Sequence, residues 1–187
     1  MKIITIILIF LFFSFKGYAL NLPDVIPITG SYFGETLVHP GIYAGSEYTI
    51  KGGFFTSFGM GYYLHYRHHG GLFISGDVNW RKIFNCGYGL TFGIGIGYLH
   101  TWPHGGKIYT VDDQGHVDTK TNWGKPSFMP SLKLGLLSWD FRKKNIVPLR
   151  LFSDIVIFGE YPYNDYMMPH AALNIGATYY LKRIKDD

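Results

Sequence analysis

Residues Tyr88 to His100 read YGLTFGIGIGYLH, and their side chains separate by parity. Leu90, Phe92, Ile94, Ile96 and Tyr98 fall on one face, and Thr91, Gly93, Gly95 and Gly97 on the other. Strict alternation at period two is the mark of a β-strand with unlike faces. In a soluble sheet the face opposite the apolar one is usually charged. Here it is glycine, which weakens an ordinary strand. An oily outside and a crowded inside instead suit a narrow transmembrane barrel.

The same alternation recurs along the chain. Seven segments keep it for nine residues or more, long enough to cross an outer membrane when tilted: 41–50, 54–67, 72–82, 88–101, 128–139, 149–161 and 171–181. Single-chain bacterial barrels have even strand numbers. The missing strand is most easily supplied by Ile28 to Val38, joined to the next through a turn at His39-Pro40-Gly41, although Gly30, Gly34 and Glu35 interrupt its pattern. The expected fold is therefore all-β, an antiparallel up-and-down transmembrane barrel of about eight strands. A soluble β-barrel is the alternative.

The first 19 residues carry Lys2, an apolar run from Ile3 to Phe13, and a small-residue end at Gly17-Tyr18-Ala19. This is the form of a cleaved signal peptide, and the run is too short for a membrane-spanning helix. The expected organisation is a signal peptide at 1–19 and a single barrel domain at 20–187. Loss of Lys2 and Lys16 lowers the formal charge from +4 to +2, with no basic stripe, so nucleic acid is not an expected partner. Cys86 is the only cysteine, so no intrachain disulfide forms.

Parity also assigns an interior. Phe58, Met60, Ile74, Val78, Leu134, Ile157, Ile175 and their like share the lipid side. Glu47, Arg67, Asp77, Arg81, Lys133, Arg150, Asp154 and Glu160 fall on the other. Four acids and four bases in a confined lumen imply a paired network, because isolated buried ions are very costly. Connection lengths set the orientation: short turns at 51–53, 85–87 and 141–147 on the periplasmic side, and outer connections at 68–71, 102–127 and 162–170.

With these segments in place, the chain resembles the small eight-stranded outer-membrane β-barrel superfamily of Gram-negative bacteria, which includes adhesin-like and lipid-modifying barrels. The resemblance rests on the leader, on the alternation of TFGIGIGY, LKLGLL and LNIGATYYL, and on the aromatic placement. It points to no particular activity. It implies an outer-membrane location in contact with lipid and lipopolysaccharide, insertion by the barrel assembly machinery, and an extracellular ligand for the outer loops. It implies no cofactor. One departure is the tail Lys182 to Asp187, which runs past the aromatic pair Tyr179-Tyr180, whereas such barrels often end on an aromatic residue.

Three constellations are candidates for chemistry. All eight histidines map to the outer end, and His65, His68 and His69 are placed to meet across a hairpin as metal ligands. The competing reading is a rim of interfacial and loop histidines. Tyr161, Tyr163, Tyr166 and His170 are candidates for ligand binding, with an interfacial aromatic belt as the competing reading. An acyl-modifying enzyme of lipopolysaccharide would combine His65 or His100 with Ser57, Ser75 or Ser131 and Glu160 or Asp77. No local motif selects such a set, so the sequence assigns no catalytic residue. The favoured function is a structural, adhesive or surface-binding barrel with a side-chain-filled lumen.

Overall fold

The computed structural model describes residues 25–144 and 147–182. The expected signal peptide and the tail after Lys182 lie outside these residues. Barrel strands are β1 (Val25–Glu35), β2 (Gly41–Lys51), β3 (Phe54–His65), β4 (His69–Ile83) and β5 (Tyr88–Pro103). A small hairpin of β6 (Lys107–Val111) and β7 (Val117–Thr121) follows, then β8 (Lys125–Asp140), β9 (Leu149–Tyr163) and β10 (Tyr166–Lys182).

Every barrel strand pairs antiparallel with its sequence neighbour, and β1 pairs with β10 from Val25↔Lys182 to Glu35↔Ala172, so the sheet closes. The segment 28–38 is thus the closing strand, with its last three residues in the turn to β2. It tolerates glycine because it is clamped on both sides. Closure removes the edges that would otherwise invite aggregation.

Most strands run further toward one end than their alternation suggests. This upper end carries the connections 36–40, 66–68, 104–124 and 164–165, and the lower end carries the others. The expected outer loop 162–170 is mostly strand: β9 and β10 continue to a two-residue turn, Asn164-Asp165, both with positive φ. That is the backbone a tight hairpin demands. Likewise, the expected loop 102–127 gives up both its ends to β5 and β8, and its middle folds as the β6–β7 hairpin.

Alternation slips at a bulge in β8. The β8–β9 register shifts between Gly135 and Leu137, and both Leu136 and Leu137 face outward, 55% and 51% exposed. Beyond the bulge Ser138 and Asp140 point inward and are buried.

The bare face of β5 exists to make room. A Cβ at Gly95 would collide with Asp77 Oδ1, and one at Gly93 with Asn79 Oδ1, the residues paired with them on β4. Gly61 does the same for Phe73, and Gly71 for Tyr63. The inner glycines are slots into which neighbouring strands lay their larger side chains.

Candidate functional site at the upper mouth

The lumen is stacked in layers. Lowest is a cluster centred on Glu47, which accepts from Arg81 Nη1 (3.2 Å) and Nη2 (2.7 Å), Arg150 Nη2 (2.9 Å) and the Tyr180 hydroxyl (2.6 Å). Above it Asp77 accepts from Lys133 Nζ (3.1 Å), Ser57 Oγ (3.1 Å) and Ser131 Oγ (3.3 Å). Next comes a sealed apolar layer of Phe33, Tyr63, Phe73, Leu99, Met129, Val156, Phe158 and Ala172. The cavities between lower layers measure only about 30 and about 20 Å³, space for a water molecule apiece.

Of the eight residues expected to pair in the lumen, Arg67 lies outside it, and Glu160 and Asp154 lie inside it without, among the described residues, a lysine or arginine bonded to them. The β3–β4 ladder ends at His65↔His69, and Arg67 occupies the turn with φ 68°, exposed, its guanidinium 5.3 Å from the Tyr66 ring centre. Glu160 takes His170 as its basic neighbour, at 3.7 Å, rather than an arginine or lysine. Asp154 is buried, and among the described residues it makes no direct ion pair. The charges around it, Lys133 and Arg150, act on it at longer range.

The upper layer is a second polar cluster that parity alone did not reveal. Glu35, the last residue of β1, is 3% exposed. Its Oε1 accepts from Thr36 Oγ1 (2.5 Å) and His170 Nδ1 (2.9 Å), and its Oε2 lies 2.5 Å from His39 Nδ1. Glu160 Oε1 accepts from Thr101 Oγ1 (3.2 Å) and Ser127 Oγ (3.1 Å). His170 bridges the two carboxylates, and its ring stacks on Phe158 of the apolar layer at 4.9 Å. A signal was present in the sequence: Glu35 shares the inward parity of Phe33, and His39 follows four residues later across a short turn.

Above this floor opens a cavity of about 340 Å³, walled in part by His68, His69, Trp102, Lys125, Tyr163 and Met168. In the layers beneath it, among the described residues, Tyr63 Oη and His170 Nε2 are buried without a hydrogen bond, Nε2 keeping its 3.7 Å approach to Glu160. Its mixed wall sets Trp102, Tyr163 and Met168 beside His68, His69 and Lys125, which offers a small ligand both apolar area and polar groups. Of the four residues expected to bind a ligand, Tyr163 and His170 line this cavity. Tyr161 and Tyr166 do not; both are exposed, Tyr161 on the outward parity of β9 and Tyr166 beside the β9–β10 turn.

The histidines gather only in part. Around His65 lie the rings of His39 (3.5 Å, stacked), His68 (4.6 Å) and His69 (4.9 Å). The tightest donor set there is not His65, His68 and His69. It is Glu35, His39 and His65, whose ligand atoms lie within 4.8 Å of one another. His100 is apart, with Nδ1 3.0 Å from the Tyr98 hydroxyl and Nε2 2.9 Å from the Trp123 carbonyl. His116 sits in the hairpin. The serine candidates are elsewhere: Ser57 and Ser131 donate to Asp77 in the lumen, and among the described residues no serine hydroxyl bonds a histidine.

This closed, eight-stranded, side-chain-filled ring has counterparts among solved structures. The chain has the fold of the small outer-membrane β-barrels. Neisserial surface protein A superimposes with a TM-score of 0.56 at 9% identity, covering 85% of this chain and 96% of that one. The N-terminal β-barrel domain of Pseudomonas aeruginosa OprF gives 0.55 at 12% identity, covering 84% and 98%. In sequence, no family model and no curated protein matches. The shared property is the architecture, a closed antiparallel barrel.

Proposed function

We propose that the protein resides in the bacterial outer membrane as a non-conducting barrel and acts through its upper rim, turned outward, as a structural or adhesive surface protein. The observation that carries this reading is the contrast between a sealed lumen and an open mouth. The apolar layer leaves spaces of only about 20 to 30 Å³ below it, whereas the mouth holds about 340 Å³ and bears the projecting β6–β7 hairpin. Eight strands enclose room for side chains and little else.

The outer surface supports the location. Phe58, Ile74, Ile94, Ile96 and Ile175 lie 47% to 67% exposed on the barrel exterior, an apolar band too large for a monomer in water. Lipid and lipopolysaccharide are the partners such a band implies. The surface placement in the name of the neisserial protein agrees with an outward-facing rim.

Planar-bilayer recording of the refolded barrel tests the sealed lumen, and limited proteolysis of intact cells tests the orientation. The expected result is no stable solute-sized conductance, with cleavage confined to the hairpin between Lys107 and Thr121. Stable conductance would overturn the sealed-lumen reading. Cleavage at Gly52 or Gly53 with the hairpin protected would reverse the orientation.

A further inference from the structure

The Glu35–His39 contact is explained by hydrogen bonding alone. The position of His65 is not. Among the described residues its side chain makes no hydrogen bond, yet its ring is stacked on His39 at 3.5 Å with an interplanar angle of 26°. This brings a third ligand atom to within 4.8 Å of those of Glu35 and His39. We propose that Glu35, His39 and His65 form a binding site for a divalent first-row transition-metal ion, of the zinc class, at the upper mouth.

The donor chemistry fits. Two imidazoles and one carboxylate are a recurrent set for zinc, and imidazole also suits copper and nickel while magnesium and calcium prefer oxygen. Ligand atoms around a tetrahedral ion with bonds of about 2.0 to 2.1 Å lie about 3.3 Å apart. The widest pair must therefore close by at most about 1.5 Å, a shift within reach of ring rotation. His39 is on the short connection between β1 and β2, and His65 is the last residue of β3 before its turn, so both rings stand where the backbone leaves the ladder.

The carboxylate is already held for the task. Thr36 and His170 both bond Oε1, which leaves Oε2 toward the two histidines. Such outer contacts orient a ligating carboxylate and strengthen metal binding. An arriving cation takes the place of the hydrogen between Glu35 Oε2 and His39 Nδ1, and a neutral His39 that ligates through Nδ1 carries its one N–H on Nε2. His68 and His69, with ring centres 4.6 and 4.9 Å from that of His65, stand beside the three ligands without belonging to them.

Zinc titration of the refolded full chain in detergent, by calorimetry and by competition with a chromogenic chelator, tests the assignment. The expected result is one zinc per chain at micromolar affinity or tighter, weakened at least about tenfold in His39→Ala, in His65→Ala and in Glu35→Gln, and unchanged in His116→Ala. Removal of Glu35 disturbs a buried cluster; His65→Ala removes no hydrogen bond and keeps the test decisive should Glu35→Gln fail to fold. Three results would overturn the site. These are no binding by the wild-type chain at about 100 micromolar zinc, undiminished binding by His65→Ala and His39→Ala, or binding abolished by His68→Ala and His69→Ala while His39→Ala binds normally.

Discussion

Glu47 on β2 and Arg150 on β9 meet at 2.9 Å across the lumen although 103 residues separate them in the chain. The contact exists only because β1 pairs with both β2 and β10, so it forms with closure of the barrel and not before. Arg81 binds the same carboxylate with both terminal nitrogens, and the Tyr180 hydroxyl completes its shell. One carboxylate thus ties three separate strands to β2.

Removal of that carboxylate leaves two buried guanidinium groups facing each other. Glu47→Ala is expected to destabilise the barrel by about 3 to 5 kcal/mol, the usual cost of breaking a buried pair from one side. Urea unfolding followed by tryptophan fluorescence measures it. The double variant Glu47→Ala, Arg150→Met should cost less than the sum of its two singles, since the partners share one network. Arg67→Ala, at an exposed turn, should stay within about 0.5 kcal/mol of wild type. A loss at Arg67 as large as at Glu47 would place that side chain in the lumen after all.

The glycine slots give a second test. Gly95→Ala places a methyl group against Asp77 Oδ1 and Ser131 Oγ, and so disturbs the Lys133–Asp77 pair as well. Overpacking of this kind costs about 1 to 3 kcal/mol. Gly30→Ala is the control, because a Cβ there meets nothing within 4 Å. Equal unfolding midpoints for the two variants would show that the inner face of β5 is not a slot.

These contrasts mark what was legible in the residues. Period-two alternation located the strands and the sides of Glu47, Asp77, Arg81 and Lys133, because a barrel with an apolar exterior and a polar lumen sets unlike surroundings on alternate side chains. Where that difference stops, so does the signal. His69 and Lys125 begin strands that continue above the apolar band, and polar residues are tolerated there on either face. Arg67 has inward parity yet lies in a turn, since nothing in its neighbours fixes where the β3–β4 ladder ends. The bulge at Leu136-Leu137 looks like continued alternation followed by a slip. The Glu35, His39 and His65 cluster depends on strand register across β1, β2 and β3, which alternation leaves open. It surfaces only once Glu35↔Ala172 and Gly41↔Tyr63 are known.

The outward band should reject charge by depth. Ile94 and Ile96, 59% and 63% exposed in the middle of β5, are expected to lose about 2 to 4 kcal/mol when changed to arginine, the cost of a cation at the bilayer midplane. Tyr109→Arg, on the exposed β6 strand of the hairpin, should cost nothing measurable. Refolding into lipid vesicles, scored by heat-dependent gel mobility, compares them. If all three variants refold equally well, the band does not contact lipid, and a soluble barrel becomes the better description.

The hairpin carries its own pH response. Asp112 Oδ1 accepts the backbone N–H of His116 (2.8 Å) and of Gln114 (2.9 Å), and these bonds, that of His116 foremost, hold its carboxyl below the ordinary aspartate value. A carboxylate with a lowered folded-state value contributes stability that is fully present above its unfolded value, near 3.8, and is lost as pH falls through the folded one. The turn should therefore stay ordered from neutral pH down to about 4 and loosen only below that, as Asp112 takes up its proton. Protection of the Thr110 and Val117 amides, taken as exchange relative to the intrinsic rate at each pH in detergent, reads the turn. Asp112→Ala should exchange fast at every pH. Asp112→Asn keeps an acceptor oxygen and should lose the pH dependence while it retains part of the protection. A loss of protection between pH 7 and 5 in the wild-type chain would contradict this account, because Asp112 remains ionised and keeps its backbone bonds throughout that range.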